Sequence, residues 1–404
     1  MKYFLTIFIT VALTLPAITL ADEITFKLIN QRLMLMKSVA AYKWINNIAI
    51  EDKVRERIVI QRAKQSSLKL GLAPASVGQF VSTQIEVAKQ IQRYWFEEWA
   101  KGSGPTESSD LMTQVRPQLL TLSQQIISSL KSPEETLDIT LFFTAVSVVG
   151  LSEATKGNLY RSLEAIKRYD NRLQQILETG ILRIGTTGDY APFSFWADNQ
   201  STPRGSDIKR AESLAENLGV EPIFVKTSWP TLTQDLIAGN FDIIMSGVSV
   251  TQARKEFGHF SIPYHLGGKT AIARCKDQDK FNSLDAINKS SVRVIVNPGG
   301  TNENFVNGYL SLATKVIHMD NRNIFAQLVK GRADVMITDR IEVDLQTSIH
   351  SKLCSTTKEN FTYQEKAYWM PKDEDLKQRI DSWLSTEILL ESGGTHPSTS
   401  NGET

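Results

Sequence analysis

The chain has 404 residues, too many for one compact hydrophobic core, so two or three domains are expected. Lys plus Arg number 45 against 44 for Asp plus Glu. The resulting net charge of +1 excludes nucleic acid as a general partner and makes any recognition of anions local.

Residues 1–21 read as a secretory signal peptide. Lys2 precedes an apolar run from Tyr3 through Leu15, Pro16 breaks the run, and Thr19-Leu20-Ala21 offers a small-residue cleavage site. The mature chain then begins near Asp22, in the periplasm or outside the cell. The rival is an uncleaved membrane anchor, which the short run and its proline disfavour. No later stretch is long and apolar enough to cross a bilayer, so no stable membrane association is expected after cleavage. Export makes Cys275 and Cys354, the two cysteines, candidates for one disulfide. A bridge closing so long a loop stabilises a fold by about 2 to 5 kcal/mol. Neither cysteine has a His or Cys at ligand spacing, so no metal and no other cofactor is expected.

Residues 22–168 lack strand-like alternation and show helical periodicity, which predicts an all-helical domain. Breaks fall at Asn46–Asp52, Leu70–Ser76 and Lys101–Asp110. Apolar Ile139–Leu151 and the segment Tyr160–Leu177 read as further helices. Polar residues interrupt the apolar stripes. Arg32 sits among Leu28, Leu35 and Val39, with Lys43 three turns on and facing the same way. Gln92 lies inside a stripe of Val81, Ile85, Ala88, Trp95 and Trp99. Such groups in a bundle core cost free energy unless paired, and a bound anion is the expected partner. The plainer reading is a loosely drawn stripe with Arg32 and Lys43 reaching water at the bundle edge.

The pieces INQRLMLMKSVAAYKW, IEDKVRERI, QIEVAKQIQRYWFEEW and DLMTQVRPQL resemble the helical chorismate mutases, particularly the secreted class, over roughly residues 24–130. The resemblance implies that Arg32, Arg55 and Arg116 hold the two substrate carboxylates. It implies that Lys43 and Gln92 donate to the ether oxygen, while Glu56 or Asp52 meets the substrate hydroxyl. Where the family often has a hydroxyl residue one turn before Gln92, this chain has Ala88. Chorismate rearranges within one molecule without nucleophile, proton transfer or cofactor. Fixing the conformer and stabilising charge on the ether oxygen therefore suffice.

From Ile181 short apolar strands alternate with helices: ILRIGTT, EPIFVKT, DIIMSG, TAIARC, VRVIVNPG, TKVIHM, ADVMITD and KAYWMP. The alternation predicts α/β lobes with mainly parallel sheets over residues 169–392. Ligands of such sheets lie beyond the strand carboxyl ends. The loops there carry Tyr190 and Phe193, then Trp229, then Ser246 and Gly247. Next comes Thr251, starting a short helix with Arg254, whose planar fork suits a carboxylate. Asn297, Gly299, Gly300, Thr301 and Asn302 follow at another helix start, where backbone N–H groups can approach an anion. A lone Arg254 is as well read as a surface helix residue.

T-x-x-R followed by F-S-x-P-Y resembles the ligand loop of periplasmic amino-acid-binding proteins, the two-lobed type II fold. The run from Leu177 to about Leu384 resembles cyclohexadienyl dehydratase, a secreted enzyme converting prephenate to phenylpyruvate and arogenate to phenylalanine. The resemblance implies substrate-binding roles for Tyr190, Trp229, Ser246, Thr251, Arg254, Lys269, Thr301, Asn302 and Asp339. It makes Glu342 the general acid that protonates departing hydroxide. A Glu342 facing water at a helix start is the structural alternative. The fold expected is thus multidomain: an all-helical bundle, then a two-lobed α/β domain of the type II periplasmic-binding class. The function expected is a bifunctional enzyme taking chorismate, prephenate and arogenate. In a rival reading the second domain only binds an amino acid, and the helical half is the sole enzyme or a docking bundle. Oligomeric state stays open, a homo-oligomer included. Residues 393–404 read as a disordered polar tail.

Overall fold

The computed structural model describes residues 20–102, 104–130, 137–196 and 202–391. The expected tail lies outside these residues, as does the expected signal peptide but for its last two positions. The chain divides into two compact units, Met1–Arg168 and Tyr169–Thr404.

The first unit is built from helices α1 (Leu20–Met34), α2 (Met36–Ile45), α3 (Lys53–Lys69), α4 (Pro74–Ala100), α5 (Arg116–Ser129), α6 (Ile139–Ala145) and α7 (Glu153–Glu164). Local chemistry sets the ends. Asp52 caps α3 by accepting the Arg55 N–H, proline sits in the first turn of α4, and Ser152 caps α7 through the Thr155 N–H. Only Leu35 separates α1 from α2, so Arg32 and Lys43 ride on nearly continuous helix. The core gathers Phe26, Ile29, Val77, Phe80, Val87, Ile91 and Phe142, none of them exposed.

Two sequence expectations are corrected here. The buried face of α4 runs through Val77, Phe80, Gln84, Val87, Ala88, Ile91 and Gln92, while Ile85, Trp95 and Trp99 lie half-buried at its edge. A stripe drawn at four-and-three spacing slides around a straight helix of 27 residues by about 20° per heptad. Tyr160–Leu177 is not one helix either. Helix α7 stops at Ala165, Leu72 and Arg168 form a β-bridge, and Asn171 caps a separate helix α8 (Arg172–Thr179).

The second unit comprises β1 (Ile181–Thr186), β2 (Asp189–Tyr190), β3 (Ser194–Phe195), α9 (Ser206–Leu218), β4 (Glu221–Lys226), α10 (Leu232–Ile237), β5 (Ile243–Ile244), α11 (Gln252–Lys255), β6 (His259–Phe260), β7 (His265–Gly267) and β8 (Lys269–Arg274). It continues through α12 (Leu284–Ile287), β9 (Arg293–Val296), α13 (Thr301–Tyr309), β10 (Thr314–Ile317), α14 (Ile324–Val329), β11 (Val335–Asp339), α15 (Arg340–Ile349), β12 (Leu353–Ser355), β13 (Gln364–Lys366), β14 (Trp369–Met370) and α16 (Glu374–Glu391). One sheet has the order β4-β1-β5-β14-β6, the other β10-β9-β11-β8-β12. Pairs β1/β4, β1/β5, β9/β10 and β9/β11 are parallel, while β8 and β14, the strands entered just after each passage between lobes, pair antiparallel. The chain therefore leaves the first lobe once and returns to it at β14. A disulfide joins Cys275 to Cys354 within the second lobe.

Candidate active sites

In the helical unit Lys43 on α2 lies within electrostatic reach of Asp52, Arg55 and Glu56 at the start of α3 and of Arg116 at the start of α5, while Arg32 on α1 reaches the middle of α5. Arg32 is 8 % exposed, its Nε donates to Ser123 Oγ on α5 at 3.2 Å, and its Nη1 is buried without a partner. Burial lowers this guanidinium to about 10, so it stays charged at neutral pH. Lys43 Nζ donates to the Ile50 carbonyl at 2.6 Å. Burial depresses its pKa, and Asp52, Glu56, Arg116 and Arg55 all act on it electrostatically. Gln92 is buried, its Nε2 donating to the Ala88 carbonyl at 3.1 Å while its Oε1 has no partner. A buried orphan donor on Arg32 and a buried orphan acceptor on Gln92 are the atoms a polar ligand would satisfy.

The remaining expected residues sit differently. Asp52 is exposed and already engaged as the α3 cap, Arg55 is exposed, and Arg116 is half-buried with Nη1 against Met112 Sδ. Glu56 accepts the Asp52 N–H at 3.2 Å on one oxygen and Lys89 Nζ at 3.3 Å on the other. Lys89 was not legible as part of this group, because only the fold brings α4 beside the start of α3.

In the second unit a cavity is lined from both lobes by Tyr190, Trp229, Gly247, Ser249, Arg254, Asn297, Gly300, Thr301, Asn302, Asn321, Asp339, Glu342 and Lys366. Gly247 has φ of 64°, and a Cβ there would come within 2.6 Å of the Phe193 and Tyr190 rings, so only glycine fits. Its N–H is held by the buried Asp207 carboxylate at 2.6 Å. Thr251 caps α11, and Arg254 one turn on donates through Nη1 to the Ser249 carbonyl at 2.9 Å. Burial lowers Arg254 to about 10.

Asp339, at the end of β11, is ion-paired to Lys269 Nζ at 2.7 Å and to Lys366 Nζ at 2.5 Å, and the Tyr190 hydroxyl donates to it as well. Burial alone would raise its pKa, but the two lysines hold it well below the usual carboxylate range. Lys269 also donates to Thr301 Oγ1 at 2.9 Å and to Asn302 Oδ1. Glu342, three residues beyond Asp339 in the first turn of α15, is 3 % exposed. Burial pushes it up to about 7 against the opposing hydrogen bond from Thr338, and neighbouring Asp339 adds to the rise. A carboxyl half-protonated at neutral pH in a basic cavity can donate a proton to a leaving group.

Three expectations need correction. Ser246 is fully buried behind the wall, hydrogen-bonded to Thr187 and Ser194. Thr251 acts as a helix cap, and Lys269 stands behind Thr301 and Asn302; none of the three lines the cavity. Glu342 does not face bulk water. Lys366, Ser249 and Asn321 escaped the sequence reading. For Lys366 the signal was a lysine opening the otherwise apolar strand sequence KAYWMP. Asn321 is 8 % exposed, donates to the Asp189 carbonyl at 3.0 Å, and leaves Oδ1 unpartnered.

Among the described residues no helix is long and apolar enough to cross a membrane, and no group of three or more His, Cys, Asp or Glu is placed to hold a metal ion.

Comparison with known proteins separates the two halves. Residues 182–387 match the model of bacterial extracellular solute-binding proteins, family 3, and residues 17–93 match that of chorismate mutase type II. A cyclohexadienyl dehydratase of Pseudomonas aeruginosa is 44 % identical over 221 residues, covering 54 % of this chain and 82 % of that protein. A monofunctional chorismate mutase of Enterobacter agglomerans is 32 % identical over 148 residues, covering 35 % of this chain and 80 % of the relative. Among solved structures, an ancestral amino-acid-binding protein described as a precursor of cyclohexadienyl dehydratase superposes with a TM-score of 0.51 at 34 % identity. That superposition covers 55 % of this chain and 94 % of the ancestral one.

Proposed function

The chain belongs to the family 3 bacterial extracellular solute-binding proteins and, through its helical half, to the chorismate mutases, and from that premise we propose a bifunctional enzyme of phenylalanine biosynthesis. The helical half isomerises chorismate to prephenate. The two-lobed half removes water and carbon dioxide from prephenate, giving phenylpyruvate, and from arogenate, giving phenylalanine. The domains run over residues 22–168 and 169–392, after a signal peptide that directs the protein to the periplasm or beyond the cell.

In the mutase half Arg32, Arg55 and Arg116 take the two carboxylates, and Lys43 and Gln92 face the ether oxygen whose bond to carbon breaks as the new carbon–carbon bond forms. Positive charge on Lys43 stabilises the developing oxyanion without any proton transfer, and Gln92 adds a donor once its Nε2 turns from the Ala88 carbonyl toward the ether oxygen. Glu56 meets the substrate hydroxyl.

In the dehydratase half Arg254 holds one carboxylate, and Thr301 and Asn302 at the start of α13 hold the other. When the ring carboxylate leaves as carbon dioxide, its bonding electrons pass through the ring and expel the opposite hydroxyl. Glu342 gives that hydroxyl its proton, so it departs as water. The observation that carries this reading is a buried Glu342, raised to about 7, on the wall of a cavity that also presents Arg254 and Lys366. A module that only binds an amino acid has no use for a buried carboxylic acid kept partly protonated at neutral pH. The deciding experiment supplies chorismate to the purified protein and follows prephenate and phenylpyruvate together. Chorismate that is not consumed sinks the mutase assignment, and prephenate that accumulates without phenylpyruvate sinks the dehydratase.

A further inference from the structure

Lys89 is a buried cation for which the reaction as described has no use. It lies on α4 directly after Ala88 and three residues before Gln92, with a side chain 7 % exposed. Its Nζ stands 2.6 Å from Glu86 Oε1, 3.3 Å from Glu56 Oε2 and 3.8 Å from Glu51 Oε1. Enclosing an ammonium group is unfavourable unless carboxylates offset it, and an apolar residue of similar size serves bundle stability as well or better. What Lys89 does for its partners is therefore the more informative question.

Of those partners only Glu56 belongs to the mutase site. Its other oxygen accepts the Asp52 N–H, so the carboxylate is gripped from two directions, by the start of its own helix and by α4. Lys43 feels the charge of Glu56, yet its Nζ donates to the Ile50 carbonyl and makes no ion pair among the described residues. With both oxygens of Glu56 occupied, the Lys43 ammonium group is left unclaimed by that half-buried acid.

We propose that Lys89 is a positioning residue of the mutase reaction: by holding Glu56 Oε2 it fixes that carboxylate for the substrate hydroxyl and keeps it from Lys43. The ammonium group of Lys43 then remains available to the ether oxygen. This inference rests on the mutase roles given above to Lys43 and Glu56.

The test is a double-mutant cycle on the full chain, measuring kcat and KM for chorismate in wild type, Lys89→Met, Lys89→Arg, Glu56→Gln and the Lys89→Met/Glu56→Gln pair. Lys89→Met is expected to lower kcat about tenfold with KM changed by less than about threefold, and Lys89→Arg to restore most of the rate. The double variant should be no slower than Glu56→Gln alone, since Lys89 acts through that carboxylate. A Lys89→Met enzyme within about twofold of wild type, or losses that multiply in the pair, overturns the proposal. Circular dichroism checks the helices, and Lys89→Gln carries the same cycle should the methionine variant unfold. Lys43→Ala separates the two levels. If it is as active as wild type, the underlying site reading fails. If it is dead while Lys89→Met runs at full rate, only the role of Lys89 fails.

Discussion

The pH dependence expected of the dehydratase follows from the role proposed for one buried group. A glutamate at its ordinary pKa of 4.5 is about 0.3 % protonated at pH 7, whereas Glu342 at about 7 is roughly half protonated, about 160 times more acid form. The difference corresponds to roughly 3 kcal/mol, and burial is its main source. If Glu342 protonates the departing hydroxyl, the chemical step slows about fivefold between pH 7 and pH 8 and about tenfold per unit beyond. A dianionic substrate beside it raises the pKa further, so the alkaline limb lies at or above 7, never below. Single-turnover conversion of prephenate to phenylpyruvate from pH 5.5 to pH 9 measures this directly, with calorimetric titration of prephenate into Glu342→Gln as companion. The glutamine variant should bind prephenate and form no phenylpyruvate. A limb below pH 6, or normal turnover by Glu342→Gln, refutes the assignment.

Other consequences are as definite. Glu342 is raised in the fold, so its contribution to stability is complete below pH 4.5 and is lost as pH climbs through about 7. Glu342→Gln should therefore melt several degrees higher than wild type at pH 8 and nearly the same at pH 5; equal melting at both refutes the burial argument. Lys43→Ala removes the cation proposed to face the ether oxygen and should cut chorismate turnover about 10²- to 10³-fold, read as chorismate consumption, while prephenate dehydration in the same sample is unchanged. Arg254→Lys keeps the charge but loses the planar fork, and should raise KM for prephenate about tenfold, or about 1.4 kcal/mol. An unchanged KM would show that Arg254 does not grip the substrate.

Much of the architecture was legible because periodicity is local. Helical repeats before residue 168, then strands such as ILRIGTT and ADVMITD, marked a bundle followed by α/β lobes. Arg254, Thr301 and Asn302 were legible too, each lying at a helix start whose chemistry is written in the neighbouring residues. Residues whose role depends on a distant return of the chain were not. Lys366 joins the site because β13 delivers it beside Asp339, 27 positions earlier in sequence. Asn321 and Lys89 gain meaning only from what packs against them. Ser246 was misplaced for the complementary reason: a polar residue ending an apolar strand looks like a ligand group, but Thr187 and Ser194 consume its hydroxyl. Whether Glu342 met water or protein was undecidable from sequence, since its position in the first turn of a helix suits either.

Around Asp339 the basic groups Arg254, Lys269 and Lys366 outnumber the fixed acid, and Glu342 is half neutral at pH 7. Left empty, such a chamber is hungry for negative charge. Two substrate carboxylates answer that hunger best, yet any small dissolved dianion answers it partly. Sulfate and phosphate buffers are therefore expected to compete with substrate for the two-lobed half, which would make its apparent affinity depend on the medium as much as on the protein.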